Sequence, residues 1–252
     1  VFALHKPMGP SAYQALCALR DEDPSLAGQK LGHTGRLDPL AEGVLVVLVN
    51  DENRAVVELR GAPKTYELDV LLGVSTDSFD SLGLVTAAVP CEVPEGALRA
   101  VLPRWTGAIS QRVAPFSQAR VDGRSLIAWG HAGRVVERPA KDRVIDDIAV
   151  REVTRTDLGT HARGGVYRAA MVRGPFRQPE IVARWGALMH RGDPLTLARL
   201  TVRCGAGTYM RSLAFDLGES LGVPAMAWGI RRTRVGEFSL DGARVLTRPW
   251  RP

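Results

Sequence analysis

Two hydrophobic periods alternate along the chain. Compact apolar runs at Val1–Leu4 and Val44–Val49 predict strands. So does the every-second-residue pattern of Thr65–Leu72, which sets Tyr66, Leu68 and Val70 on one side. Ser11 stands where a helix cap is favoured, and Ala12, Ala15, Leu16 and Leu19 share one face of a helix running to about Arg20. Gly32–Gly43 reads as a glycine- and proline-marked loop, and Asp51–Leu59 as a helix ended by Gly61 and Pro63. An acidic loop at Thr76–Gly83 precedes a strand at Leu84–Val89, and Pro94–Trp105 reads as a helix. Ile109–Val121 predicts two strands around Pro115, then a turn at Asp122-Gly123 and a short helix at Ser125–His131. Val144–Thr154 and Ala198–Cys204 are strand-like. Gly207–Leu221 is helical, with Leu213, Leu217 and Leu221 four apart, and Arg231–Phe238 is expected as the final strand. Residues 155–197 offer only a few possible strands among arginines, glycines and prolines, and are expected as an insertion within the domain. Strands and helices mix without regular alternation, so the expected class is α+β, in a single domain over residues 1–252.

Composition narrows the function. A net charge of +6 comes almost wholly from arginine, since only Lys6, Lys30, Lys64 and Lys141 are lysines. Arginine forks match phosphate oxygens and stack on bases, so the balance suits a nucleic-acid partner. Cys17, Cys91 and Cys204 form no Cys-x-x-Cys pair and read as small core residues of a reducing compartment. The five histidines lack metal-ligand spacing, so no metal site is expected. The longest aliphatic run, Val44–Val49, is too short to span a bilayer. No secretory leader is visible at Val1, so the expected location is the cytoplasm.

The most informative stretch is Gly32-His33-Thr34-Gly35-Arg36-Leu37-Asp38-Pro39-Leu40-Ala41-Glu42-Gly43. Pro39 biases Asp38 toward extended backbone, while Leu40, Ala41 and Val44 are able to anchor the loop in the core. The result is one carboxylate presented from a rigid support. For an isolated Asp-Pro, a capping aspartate in an ordinary turn is the plainer reading.

Together with five further segments in order, this loop resembles the TruB family of tRNA pseudouridine synthases. The segments are His5-Lys6-Pro7-Met8-Gly9, Lys64-Thr65-Tyr66, Leu72 to Gly83 with its Thr76-Asp77 and Asp80, Gly207-Thr208-Tyr209-Met210-Arg211 running on to Gly222, and Ile230-Arg231-Arg232-Thr233. They span roughly residues 1–130 and 198–240. The resemblance implies a mixed, largely antiparallel sheet with flanking helices. It also implies an isomerase that breaks the N1–C1′ bond of a uridine, turns the base and rejoins it through C5. Uridine 55 of the tRNA T-loop is the implied target. No cofactor or guide RNA is required for such a reaction, and a monomer is expected.

Residue by residue, the resemblance makes Asp38 the essential carboxylate, either attacking C1′ or taking the 2′ proton. Arg211 matches an arginine that pairs with it, and a cation near a helix start does little for the helix itself. Tyr66 matches a tyrosine that stacks on the base. His33 matches a residue inserted into the opened RNA loop, where a stack worth roughly 1–3 kcal/mol offsets much of the flipping cost. Tyr209, Lys6, Arg36, Phe116 and Arg120 are expected at the substrate, with Lys6 and Pro7 supporting the loop. Departures are visible. Phe116-Ser117-Gln118-Ala119-Arg120 stands where the family often has Tyr-Ser-Ala-x-Lys, so a hydroxyl is lost while the aromatic face and the charge stay. Residues 113–140 are expected to form a mobile clasp on RNA, and no C-terminal RNA-binding module is expected. Two other classes compete: an RNA-folding chaperone without turnover, and a nucleoside hydrolase that would release free uracil.

Overall fold

An unbroken apolar run dictates the centre of the molecule, because a strand buried on both faces has no polar side to offer. The structure is a computed structural model that describes residues 1–247. In chain order the first elements are β1 (Phe2–Lys6), α1 (Ala12–Glu22), β2 (Leu31–His33), β3 (Ala41–Val49) and α2 (Val56–Gly61). Next come β4 (Lys64–Leu72), β5 (Val74–Thr76), β6 (Val85–Ala88), α3 (Glu95–Val101), β7 (Gly107–Arg112), β8 (Arg120–Val121), β9 (Arg124–Ser125) and α4 (Leu126–His131). The rest are β10 (Ala140–Asp157), α5 (Leu158–Ala170), α6 (Gln178–Gly186), β11 (Pro194–Cys204), α7 (Met210–Leu221), β12 (Ala225–Val235), β13 (Phe238–Ser239) and β14 (Arg244–Val245).

One sheet carries most of the strands, in the order β14-β1-β3-β12-β4-β11-β10-β7, with β2 beside β3 and β13 beside β12. Among the described residues β3–β12 and β1–β14 run parallel, and the other pairs of this sheet run antiparallel. The α+β expectation with a largely antiparallel sheet therefore holds. β3 is the buried run: Leu45 and Val47 meet α1 through Ala12, Ala15, Leu16 and Leu19, while Val44 and Val46 face Val235. α1 starts where expected, since Ser11 and Gln14 form a reciprocal capping box.

Side chains alternate across the sheet, so β4 builds two cores at once. Tyr66, Leu68, Val70 and Leu72 join Leu98 of α3 and Leu213, Ala214 and Leu217 of α7. Leu71 points the other way, into a second core that includes Leu158, Ala162, Ile181 and Trp185. That second core corrects the reading of residues 155–197. The region holds two helices, α5 and α6, rather than scattered strands, and Trp185 is fully buried against the sheet. Glycines hid this. Gly165 sits where any Cβ would strike the Trp185 ring, so the glycine that weakens the helical pattern is what lets α5 approach α6. A second correction concerns the last strand. It begins at Ala225 rather than Arg231, and the short β13 and β14 follow it. Among the described residues no helix is long and apolar enough to cross a membrane.

Candidate active site

The site forms where the loop between β2 and β3 meets the first turn of α7. Asp38 is held from both sides. Leu37 and Leu40 are buried, and the Pro39 carbonyl accepts from the Gly9 amide at 2.8 Å. Beneath the loop, the fully buried Lys6 ammonium donates to the carbonyls of Pro7 (2.8 Å), Pro39 (3.2 Å) and Ala41 (2.7 Å). Burial pushes the Lys6 amine down to about 7, against the raising effect of Asp38 and Glu42. The expectation of Lys6 at the substrate is therefore corrected: with no exposed surface it holds the loop and faces no ligand.

The Asp38 side chain remains 42% exposed, with one oxygen anchored: Arg211 Nε donates to Oδ2 at 2.8 Å. Arg211 is 4% exposed and gathers three loops. Its Nη1 donates to the Ser78 carbonyl (2.8 Å) and the Pro115 carbonyl (2.7 Å), and its Nε lies 3.7 Å from Asp80 Oδ2. Burial alone would weaken this guanidinium, but Asp38 and Asp80 outweigh it and raise its pKa, so the cation is permanent. Asp80 was missing from the residues expected at the site, although the Thr76-Asp77 and Asp80 pattern was visible. It is buried, and its Oδ1 accepts from Ser78 Oγ (2.6 Å) and the Leu82 amide (3.0 Å). Burial raises the Asp80 carboxyl, with Arg211 opposing.

A cleft of about 540 Å³ opens over Asp38 and Arg211, a size that suits a small ligand or one nucleotide. Tyr66, Tyr209, His33, Arg36 and Phe116 line it, so the structure brings together seven of the nine residues expected at the site. Tyr66 is 7% exposed, and burial pushes its phenol up, with Arg232 pulling the other way. Tyr209 precedes α7 and is locked through its backbone to Gln111, whose Oε1 accepts from the Tyr209 amide at 2.9 Å. His33 is half-buried. Burial lowers its pKa, as do Arg36, Arg232 and Arg60, so the imidazole is neutral at pH 7 and free to stack. Arg36 is exposed at the rim. Phe116 takes a left-handed backbone (φ 51°) and lies under the Arg177 guanidinium, 4.5 Å from its ring centre. Arg120 stands outside the cleft, exposed on the β8–β9 hairpin, and donates to the Gly123 carbonyl at 2.7 Å. Ile230 and Arg232 also line the cleft. Both were quoted in a motif, but no local signal marked them as site residues.

A larger trough of about 650 Å³ lies on the opposite face, lined by Glu67, Asp69, Glu152, Arg151 and Arg199 among others. Several of its charges pair with one another, as Arg151–Glu67 and Arg199–Glu152 show. Among the described residues no cluster of His, Cys, Asp or Glu is arranged to hold a metal ion.

Comparison with known proteins places the chain among named relatives. Residues 25–167 match the family model described as TruB family pseudouridylate synthase, N-terminal domain. The chain is 34% identical over 248 residues to tRNA pseudouridine synthase B of Cupriavidus metallidurans, covering 98% of this chain and 65% of that protein. It is 35% identical over 243 residues to the protein of the same name in an Arthrobacter species, covering 96% and 67%. The chain thus spans about two thirds of the length of these relatives. Among solved structures it resembles a chain of a Cbf5-Nop10-Gar1 complex, with a TM-score of 0.58 at 25% identity, covering 97% of this chain and 51% of that one.

Proposed function

The chain belongs to the TruB family of pseudouridylate synthases, and we propose that it converts a uridine of the tRNA T-loop, uridine 55, to pseudouridine. The observation that carries this reading is Asp38: one oxygen is pinned by Arg211 at 2.8 Å while the side chain stays open to a nucleotide-sized cleft. A flipped uridine placed there meets the free oxygen of a carboxylate that Arg211 orients. Asp38 then either bonds to C1′ as the N1–C1′ bond breaks, or takes the 2′ proton as that bond breaks. In both routes the base stays in the cleft and turns, and C5 then bonds to C1′ as the Asp38–C1′ bond breaks in the first route, or as the proton returns to C2′ in the second. Loss of the C5 proton and uptake of one at N1 restore the conjugated ring, and nothing is oxidised, so no redox cofactor is required. The Tyr66 ring and the Ile230 side chain enclose the base, and neutral His33 stacks in the RNA loop it leaves. Arg36 meets phosphate, and residues 113–140 close on the RNA. The protein acts on tRNA as a monomer, without guide RNA, in the cytoplasm. Relatives named tRNA pseudouridine synthase B support the substrate, and the paired carboxylate favours turnover over a chaperone role.

The test is incubation of the purified protein with an unmodified tRNA transcript, mapping pseudouridine by carbodiimide primer extension beside Asp38→Asn. A stop at uridine 55 with the wild type and none with the variant is expected. Release of free uracil would establish a hydrolase instead. Tight binding without modification would overturn the isomerase reading.

A further inference from the structure

Arg232 is a buried cation whose partners are carbonyls rather than carboxylates. It is 2% exposed in the middle of β12. Its Nε donates to the Val44 carbonyl at 2.8 Å, Nη1 to the Arg36 carbonyl at 3.3 Å and Nη2 to the Gly35 carbonyl at 3.0 Å. Two of these carbonyls belong to the loop that presents Asp38. The backbone beneath is equally constrained. Gly43 pairs with Arg232 in the β3–β12 ladder at φ +110°, and a Cβ there would lie 2.2 Å from the Arg232 carbonyl oxygen, so only glycine allows the approach. On its other side Arg232 stands directly opposite Tyr66 in the β4–β12 ladder, and both side chains line the cleft. A guanidinium has five N–H groups, so after three carbonyls it still has donors for the Tyr66 oxygen.

Holding carbonyls does not require a charge. A neutral amide would do it without the several kcal/mol it costs to desolvate an ion. The surroundings make the charge more costly still, because Lys6 and Lys64, both buried, also end on backbone carbonyls nearby. A fixed positive charge in that position is useful if an adjacent group must carry negative charge or lose a proton during the reaction. Tyr66 is that adjacent group.

We infer that Arg232 is a positioning residue for this site: one guanidinium fixes both the loop that aims Asp38 and the hydroxyl of Tyr66. The inference rests on the proposed isomerase reading. It adds a coupling between two groups carried by different elements. A donor from Arg232 to the Tyr66 oxygen leaves the phenol's own proton directed away from Arg232, and it stabilises the oxygen whenever that proton departs.

The experiment compares wild type, Arg232→Gln, Arg232→Lys, Tyr66→Phe and the Tyr66→Phe/Arg232→Gln double variant in single-turnover assays on tRNA transcript, with binding measured separately. Arg232→Gln is expected to bind tRNA as wild type does and to lose about 10²-fold in rate. Arg232→Lys recovers part of that loss, since the charge stays and the fork is lost. In the Tyr66→Phe background the Gln substitution costs less than it does alone. A readout that a purely structural role would not move is the titration of Tyr66, followed by fluorine NMR on fluorotyrosine-substituted protein. It is expected to shift to higher pH in Arg232→Gln. Full activity of Arg232→Gln overturns the inference. So does a rate loss that tracks unfolding, or that leaves the Tyr66 titration unmoved. A wild type that makes no pseudouridine overturns the functional reading instead, and the Tyr66 titration still decides whether Arg232 acts on that phenol.

Discussion

Replacing Arg211 by Met keeps the volume of the side-chain stem and removes every donor. Four acceptors then lose a partner: Asp38, Asp80 and the carbonyls of Ser78 and Pro115. Asp38 is 42% exposed, so water replaces much of what it loses and its share of the cost is small. Asp80, with a side chain only 12% exposed, and the two carbonyls carry the rest. Removing one partner of a buried pair typically costs about 3–5 kcal/mol. For a chain of this size that is a fall of roughly 6–20 °C in Tm. The pH dependence is diagnostic. Burial already raises the Asp80 carboxyl, and without Arg211 it rises further. A carboxyl whose folded pKa lies above its unfolded value binds more protons in the folded state. Its penalty is therefore absent below the unfolded value, grows as pH rises from there to the folded value, and is complete above it. Urea unfolding of wild type and Arg211→Met at several pH values should show a large deficit at pH 7 that shrinks toward pH 4. Adding Asp80→Asn should recover part of the loss at pH 7. A deficit under about 1 kcal/mol at pH 7, or one equal at both pH values, would refute the assignment of Asp80 as the main buried partner.

Three further outcomes are expected. Lys6→Met leaves the Pro7, Pro39 and Ala41 carbonyls unpaired and should destabilise by about 3 kcal/mol, at roughly 1 kcal/mol or more per buried acceptor. Because burial holds Lys6 at about 7 against an unfolded value of 10.5, wild type should also gain on this variant between pH 7 and 10, as unfolding curves will report. Asp216, which burial raises to about 6 despite Arg138 and Arg112, should make wild type lose stability relative to Asp216→Asn between pH 4 and 6; a flat difference would argue against it. Trp185→Ala should cost about 3–5 kcal/mol, since the ring is fully buried between α5 and α6, while single-turnover activity at low temperature survives.

Local pattern was enough for much of this protein. The apolar run of β3, the alternation of β4 and the Ser11-capped face of α1 are legible because their burial follows from period and cap chemistry alone. The Leu37-Asp38-Pro39 loop is legible for the same reason, since Pro39 restricts its neighbour wherever it stands. α5 was not, because Gly164 and Gly165 weaken the helical pattern, and their role is visible only against Trp228 and Trp185. Nor does any local pattern show that Arg211 closes on an aspartate 173 residues earlier, that Asp80 lies beneath the pair, or that Lys6 is buried whole while Arg120 stays outside the cleft. Periodicity records which side of an element is covered. The partners of a buried charge are set by the packing of distant segments, because a cation taken from water must find its acceptors wherever the fold brings them.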